Sequence, residues 1–134
     1  MLTHRQQPKD SSTCGQHCVA ILCGIMPSTA IVKVGHQRGT YHKELTPVFR
    51  MYGWIAQSDK LIKIKKDTII PETCLMKMWF SKKSHTHWMI KHKDLLYDPG
   101  FKNPVEWDDV KHVIAPNRKA TEPRITSYLE LIKE

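Results

Sequence analysis

The sequence predicts an α+β fold in which helices come first and an antiparallel β-sheet follows. Three observations carry this expectation. Up to Gly53 the apolar residues recur at helical spacing. Beyond it they alternate, or run as short β-branched and aromatic stretches, and Gly and Pro residues punctuate the change. A chain of 134 residues, 40% hydrophobic and 25% charged, is of ordinary domain size, so residues 1–134 are expected to form a single domain around one core.

The first helix is read from "TCGQHCVAILCGIM", in which Cys18, Leu22, Ile25 and Met26 share a face. Ser11, Ser12 and Thr13 precede it and are expected to cap its exposed amides, and Gly24 and Pro27 close it. Ser28 is a good cap for a second short helix that runs to about His36 and ends in "QRG". A third helix, from about Tyr41 to Tyr52, turns Leu45, Val48, Phe49 and Tyr52 inward. Pro47 is expected near its first turn, where a missing N–H matters least, and Gly53 ends it. After Gly53, "WIAQS" and "LIKIKK" read as short strands and "CLMKMWF", Cys74 to Phe80, as a longer one. "THWMIKH" and "LLYDPG" flank "KD" and predict a hairpin. "ITSYLELI" alternates and is β-branched early, which predicts a last strand.

Lys and Arg number 21 against 13 Asp and Glu, a formal charge of +8. The basic residues are spread along the chain, with one cluster at "KLIKIKK", whose alternation fits a strand with a solvated lysine face. An acidic protein surface is therefore an expected partner and nucleic acid is not. The longest apolar run, Cys18 to Met26, is well short of the ~20 residues of a membrane span. The opening "LTHRQQPKD" has no apolar stretch of the secretory kind. A cytoplasmic protein, or one delivered as an effector, is expected, without a membrane partner. In a reducing compartment the four cysteines are free, metal-binding or catalytic rather than paired.

Four features bear chemistry. Cys14 opens the first helix, where first-turn amides and the helix dipole favour a thiolate, the attacking form of a cysteine nucleophile. Cys18 and Cys23, deeper in the helix, read as packing residues. In "SHTHWMI", His85 and His87 share a strand face, and a histidine there can act as a general base toward a thiol. In "YDPG", Asp98 sits on the neighbouring arm of the hairpin, where a carboxylate orients an imidazole and stabilises its charged form. Gln6 and Gln7 precede Cys14, and a side-chain amide there can join the Cys14 backbone N–H in an oxyanion hole. Each feature has a plainer structural reading: a packing thiol, surface histidines, a turn aspartate, an ordinary arm residue.

The order Gln7, Cys14-Gly15, His87-Trp88, Asp98-Pro99 resembles the papain-like cysteine peptidases, and within them the bacteriocin-processing peptidases that cleave after a double-glycine leader, with their stand-alone relatives. The middle of the chain is similar too: a short helix, a Gly39-Thr40 turn, a third helix, then a glycine and a strand. The resemblance spans about Gln6 to Gly100, and its specificity lies in the order of short motifs rather than in any one of them. It implies a papain-like fold, with the nucleophile at the N-terminus of the first helix and a C-terminal antiparallel sheet. It also implies a thiol-dependent hydrolase that cleaves an amide bond of a protein or peptide substrate without a cofactor. Cys14 would attack, His87 would be the general base, Asp98 would orient it, and Gln7 with the Cys14 amide would bind the oxyanion.

Three other readings stay open on the sequence. A glutamine deamidase or acyltransferase would use the same site. A zinc site would draw on Cys14, Cys18, Cys74, His85 and His87, although no Cys-x-x-Cys pair is present. A non-catalytic module would bind through its basic face. Trp54, Trp79 and Trp88 are candidates to line a cleft.

Overall fold

The structure, a computed structural model, describes residues 1–80 and 86–134. Helices α1 (Cys14–Cys23), α2 (Pro27–Val34) and α3 (His42–Met51) come first. Strands β1 (Trp54–Ala56), β2 (Ile62–Lys63), β3 (Thr73–Trp79), β4 (Thr86–His92), β5 (Leu95–Tyr97) and β6 (Val105–Glu106) follow. The short helix α4 (Trp107–Val110), two 3-10 turns and β7 (Arg124–Lys133) complete the chain. The named strands pair antiparallel in the order β1-β7-β3-β4-β5-β6, with β2 also on β7. This is the α+β order that the sequence predicts. Among the described residues no single helix is long and apolar enough to cross a membrane.

The C-terminal strand organises the sheet. One edge of β7 pairs with β3, and the other pairs with β1 and then β2. Period-2 alternation sends one set of side chains to each face. Leu75, Trp88, Ile90, Tyr97, Leu129 and Leu131 pack with the three long helices. Cys74, Met76, Met89, Leu96 and Ile125 build a second cluster, joined by Val105, Trp107, Val110 and Val113. Ile125 reaches that second face because the β3–β7 register slips between Lys77 and Met78, leaving Thr126 as an extra residue on β7.

Several local expectations are corrected. Every residue of α1 from Cys14 to Leu22 is buried, not one face of it, because the sheet lies against one side and α2 and α3 against the other. The helix ends at Gly24 in a left-handed conformation (φ 68°), which leaves Ile25 and Met26 outside it. Thr13 makes no side-chain cap, and the Ser11 hydroxyl is turned to Thr13 Oγ1 at 3.2 Å. Helix α2 starts one residue earlier than expected, with Pro27 in its first turn and Met26 as cap, and it stops at Gly35. In α3, Leu45, Val48 and Phe49 are buried as expected, and Glu44 reaches back to the Tyr41 N–H at 3.0 Å. Pro47 lies in the interior of α3 rather than at its start, on the exposed side. The strand in "LIKIKK" shrinks to Ile62 and Lys63, both exposed. The short elements between Val105 and Asn117 carry no periodic signal long enough to read.

Helix α1 is locked against the loop before α3. A Cβ placed on Gly15 would lie 2.1 Å from Thr40 Oγ1 and within 3.2 Å of the Leu45 methyls. The loop is held at that distance from both sides. Gln16, fully buried, donates to the His36 and Arg38 carbonyls at 2.9 and 3.0 Å, and Trp88 Nε1 donates to the Thr40 carbonyl at 3.0 Å. The Cys-Gly and Gly-Thr pairs of the sequence are thus two halves of one contact. Gly15→Ala is expected to cost about 1–3 kcal/mol through overpacking, read as a lower denaturant midpoint. Thr40→Ala, which removes the clashing oxygen, is expected to recover part of that loss when combined with it.

Candidate active site

The β4–β5 hairpin positions the acid–base pair. Its two-residue turn has Lys93 in a left-handed conformation (φ 55°), and the buried Lys91 ammonium holds the carbonyls of Pro71, Glu72 and Lys93 at 2.9, 3.2 and 2.9 Å. Strand pairing puts Ile90 opposite Tyr97 and then stops. Past that point β4 continues to His87 while the partner chain turns through Asp98, Pro99 and Gly100. His87 Nε2 and Asp98 Oδ1 are hydrogen-bonded there. The Gly100 N–H also donates to Asp98 Oδ1 at 2.8 Å, so the carboxylate is fixed by its own turn.

Helix α1 brings the thiol to the same ring. The Cys14 thiol acts on His87 and helps to raise the pKa of its ring. Nε2 being taken by Asp98, Nδ1 is the nitrogen that faces the sulfur. The three side chains that the sequence placed far apart therefore form one chain, Cys14–His87–Asp98. Cys14 is 8% exposed and Asp98 is 6% exposed, so the site is nearly dry but not sealed. With no side-chain cap on α1, the first-turn amides beside Cys14 keep their donors for an anion.

The ring's charge state follows from competing effects. Burial is the largest influence and disfavours the imidazolium. The hydrogen bond to Asp98 and the Cys14 thiol, with the charges of both partners, together outweigh it and raise the His87 pKa to about 9. The other three thiols are different. Burial pushes Cys18 well up, with Cys14 and Asp98 adding to the effect, and burial pushes Cys23 and Cys74 up to about 12. These three are protonated packing groups.

Gln7, not Gln6, turns inward. Gln6 is exposed, whereas Gln7 is half-buried and anchored at both ends. Its N–H donates to the Pro99 carbonyl at 2.8 Å, on the Asp98 turn, and its Nε2 donates to the Ser11 carbonyl and hydroxyl at 3.0 and 3.1 Å. Gln7 Oε1 is buried without a partner. The amide so placed serves Ser11 rather than the space beside Cys14. The bonds from Gln7 to Ser11 and to the Pro99 carbonyl are not foreseen from the sequence. Ser11 was read as a helix cap, and a backbone acceptor such as Pro99 leaves no side-chain signal.

A cleft of ≈ 470 Å³ opens beside the pair, with His87 and Asp98 in its wall and Met78, Phe80, Met89 and Phe101 among its apolar lining. Met78 of β3 and Met89 of β4, on one face of the sheet, are the available sequence signal for it. None of the three tryptophans lines it. Trp54 packs on the helix-side core, Trp79 lies 4.7 Å beneath the Arg124 guanidinium, and Trp88 is buried beside Thr40. His85 lies outside the described residues. Among the described residues no group of three or more His, Cys, Asp or Glu side chains is gathered to hold a metal ion.

A His87 pKa raised from 6.5 to about 9 has a definite sign for stability. The folded state binds this proton more tightly than the unfolded chain, so the contribution is complete below about pH 6.5 and is lost as pH rises through about 9. NMR titration of the ring is expected to give a midpoint near 9, moving down in Asp98→Asn. A midpoint at 6.5 or below in the native protein would contradict the geometry. A comparison with protein-family models gives no match for this chain, and a comparison with curated protein sequences gives none either.

Proposed function

We propose that the protein is a cysteine hydrolase of papain-like fold that cleaves an amide bond in a protein or peptide substrate. The observation that carries this reading is the convergence of Cys14 on the hydrogen-bonded His87–Asp98 pair, with the sulfur at the uncapped N-terminus of α1. Helices preceding an antiparallel sheet, the nucleophile on the first helix and the histidine and aspartate on adjacent arms of a hairpin fit the same reading.

The Cys14 thiolate attacks the carbonyl carbon, and the carbonyl π-pair moves onto oxygen. The α1 amides stabilise that oxyanion, with energy that a water-excluded site makes large. Gln7 Nε2, held by the Ser11 carbonyl and hydroxyl, braces the arm beside the Asp98 turn rather than donating to that oxygen. The oxyanion collapses, the C–N bond breaks, and the His87 imidazolium protonates the departing nitrogen. Neutral His87 next takes a proton from water, whose oxygen attacks the thioester. The C–S bond breaks and the thiolate–imidazolium pair is restored. Asp98 keeps the ring in place throughout and favours its charged form.

Cys14→Ala is expected to lower turnover by at least about 10³-fold while circular dichroism and thermal stability stay native. His87→Ala is expected to slow iodoacetamide labelling of Cys14 at pH 7 by about tenfold or more, since the thiolate loses its cation. Turnover retained in Cys14→Ala would refute the mechanism. Intact-mass analysis of protein substrates identifies the reaction: two fragments mark peptide cleavage, and a mass gain of about 1 Da marks side-chain deamidation by the same thioester chemistry.

A further inference from the structure

A second cleft, of ≈ 550 Å³, lies between the loop before α3 and the start of β4. Its position relative to the site is fixed by two contacts already described. Thr40, in its wall, packs on Gly15, the residue after Cys14. Trp88, in its floor and next to His87, donates to the Thr40 carbonyl.

The charge of this cleft is one-sided. Arg38 and Lys77 line it together with His42, and no Asp or Glu among the described residues does. Lys77 stands opposite Trp88 in the β3–β4 ladder, is half-buried, and has no ion-pair partner among the described residues. The acid nearest to Arg38 in sequence, Glu44, is committed elsewhere. It accepts the Tyr41 N–H at 3.0 Å and is paired with His36 Nε2 at 2.6 Å, and Arg38 is the smallest influence on it. A half-buried cation left without a counter-charge inside a concave site is a standing electrostatic cost that an anionic ligand removes.

We infer that this cleft receives an acidic side chain of the substrate, an Asp or Glu close to the bond that is cut. The inference rests on the reading of Cys14 as nucleophile and adds to it the class of substrate. The carboxylate lies between Arg38 and Lys77, with its aliphatic stem against Trp88. The apolar cleft beside His87 disfavours the same group, which it would strip of water, so the two clefts together set the direction in which a peptide lies across Cys14.

Matched peptidyl vinyl sulfones carrying Asp, Asn or Lys at one position, scanned over the residues nearest the electrophile, test this by the rate at which each alkylates Cys14. Asp is expected to label faster than isosteric Asn at one position by roughly five- to tenfold, with Lys slowest and the difference shrinking in high salt. Lys77→Glu is expected to reverse the order. Arg38→Glu, at an exposed loop position, is expected to do so in part even if Lys77→Glu proves unstable. Equal rates for Asp and Asn at every position, or an Asp preference that survives both charge reversals, would overturn the acidic subsite and leave the nucleophile standing. Labelling of Cys14 no faster than that of free N-acetylcysteine by every probe would overturn both.

Discussion

The close approach of α1 to the Gly39–Thr40 loop is the constraint on which the site depends. Gly15 has no Cβ, and the space one would occupy is filled by Thr40 Oγ1. That absence lets the first turn of α1 sit deep between the loop and β4, with Cys14 presented to the ring of His87. The loop cannot drift away, because Gln16 holds its carbonyls from the helix and Trp88 holds Thr40 from the sheet. The residues that follow Cys14 and His87, Gly15 and Trp88, therefore brace the helix and the strand against the same loop. A thiol and an imidazole on separate elements need such a brace, since a misplacement of about 1 Å is enough to lose a near-attack geometry.

The second constraint is electrostatic. An imidazole buried to this degree would ordinarily stay neutral, and a neutral ring cannot protonate a leaving amine. The carboxylate of Asp98, itself buried and held by the Gly100 N–H, together with the thiol of Cys14 reverses that preference. The N-terminal arm contributes to the same balance. Leu2 N to Tyr97 Oη at 3.3 Å, His4 Nε2 at 2.7 Å from the Phe101 carbonyl, and Gln7 N to the Pro99 carbonyl at 2.8 Å lay the arm along the Asp98 turn. The arm thus covers the carboxylate side of the ring and keeps water from competing for Asp98.

Much of this was legible in the sequence, for physical reasons that differ by element. The hairpin was readable because period-2 alternation on both sides of a two-residue turn admits few other structures, and it carried the His87–Asp98 pairing with it. Cys14 was readable because a thiol beside glycine in a polar run fits a packing role poorly. The N-terminal details were not readable. Ser11 has the composition of a cap but is drawn off by Gln7 and Thr13, and local hydroxyl chemistry cannot announce that competition. Pro47 suits a first turn by propensity and is instead carried inside α3, where Leu45, Val48 and Phe49 bury a face large enough to tolerate a lost hydrogen bond. Tryptophans are the obvious cleft candidates by size, whereas the apolar cleft is lined by methionine and phenylalanine side chains on the far face of the sheet.

Why one thiol of four differs from the rest follows from where each meets charge. Cys18 is one turn further along the same helix and feels Asp98 as well, but at full burial a thiolate there would face the carboxylate and Cys14 with no cation of its own. Cys74 lies on the opposite face of the sheet, where the Lys91 ammonium offers some relief, yet that ammonium is already bonded to three carbonyls. Cys23 sits near the helix C-terminus, where the backbone dipole opposes negative charge. Cys14 alone combines the amide end of the helix, a hydrogen-bonded ring of raised pKa and an opening to solvent. Selectivity among the cysteines is thus a property of the helix's direction: reversing α1 between the same neighbours would place the carbonyl end at His87 and leave its imidazolium without an anion to pair with.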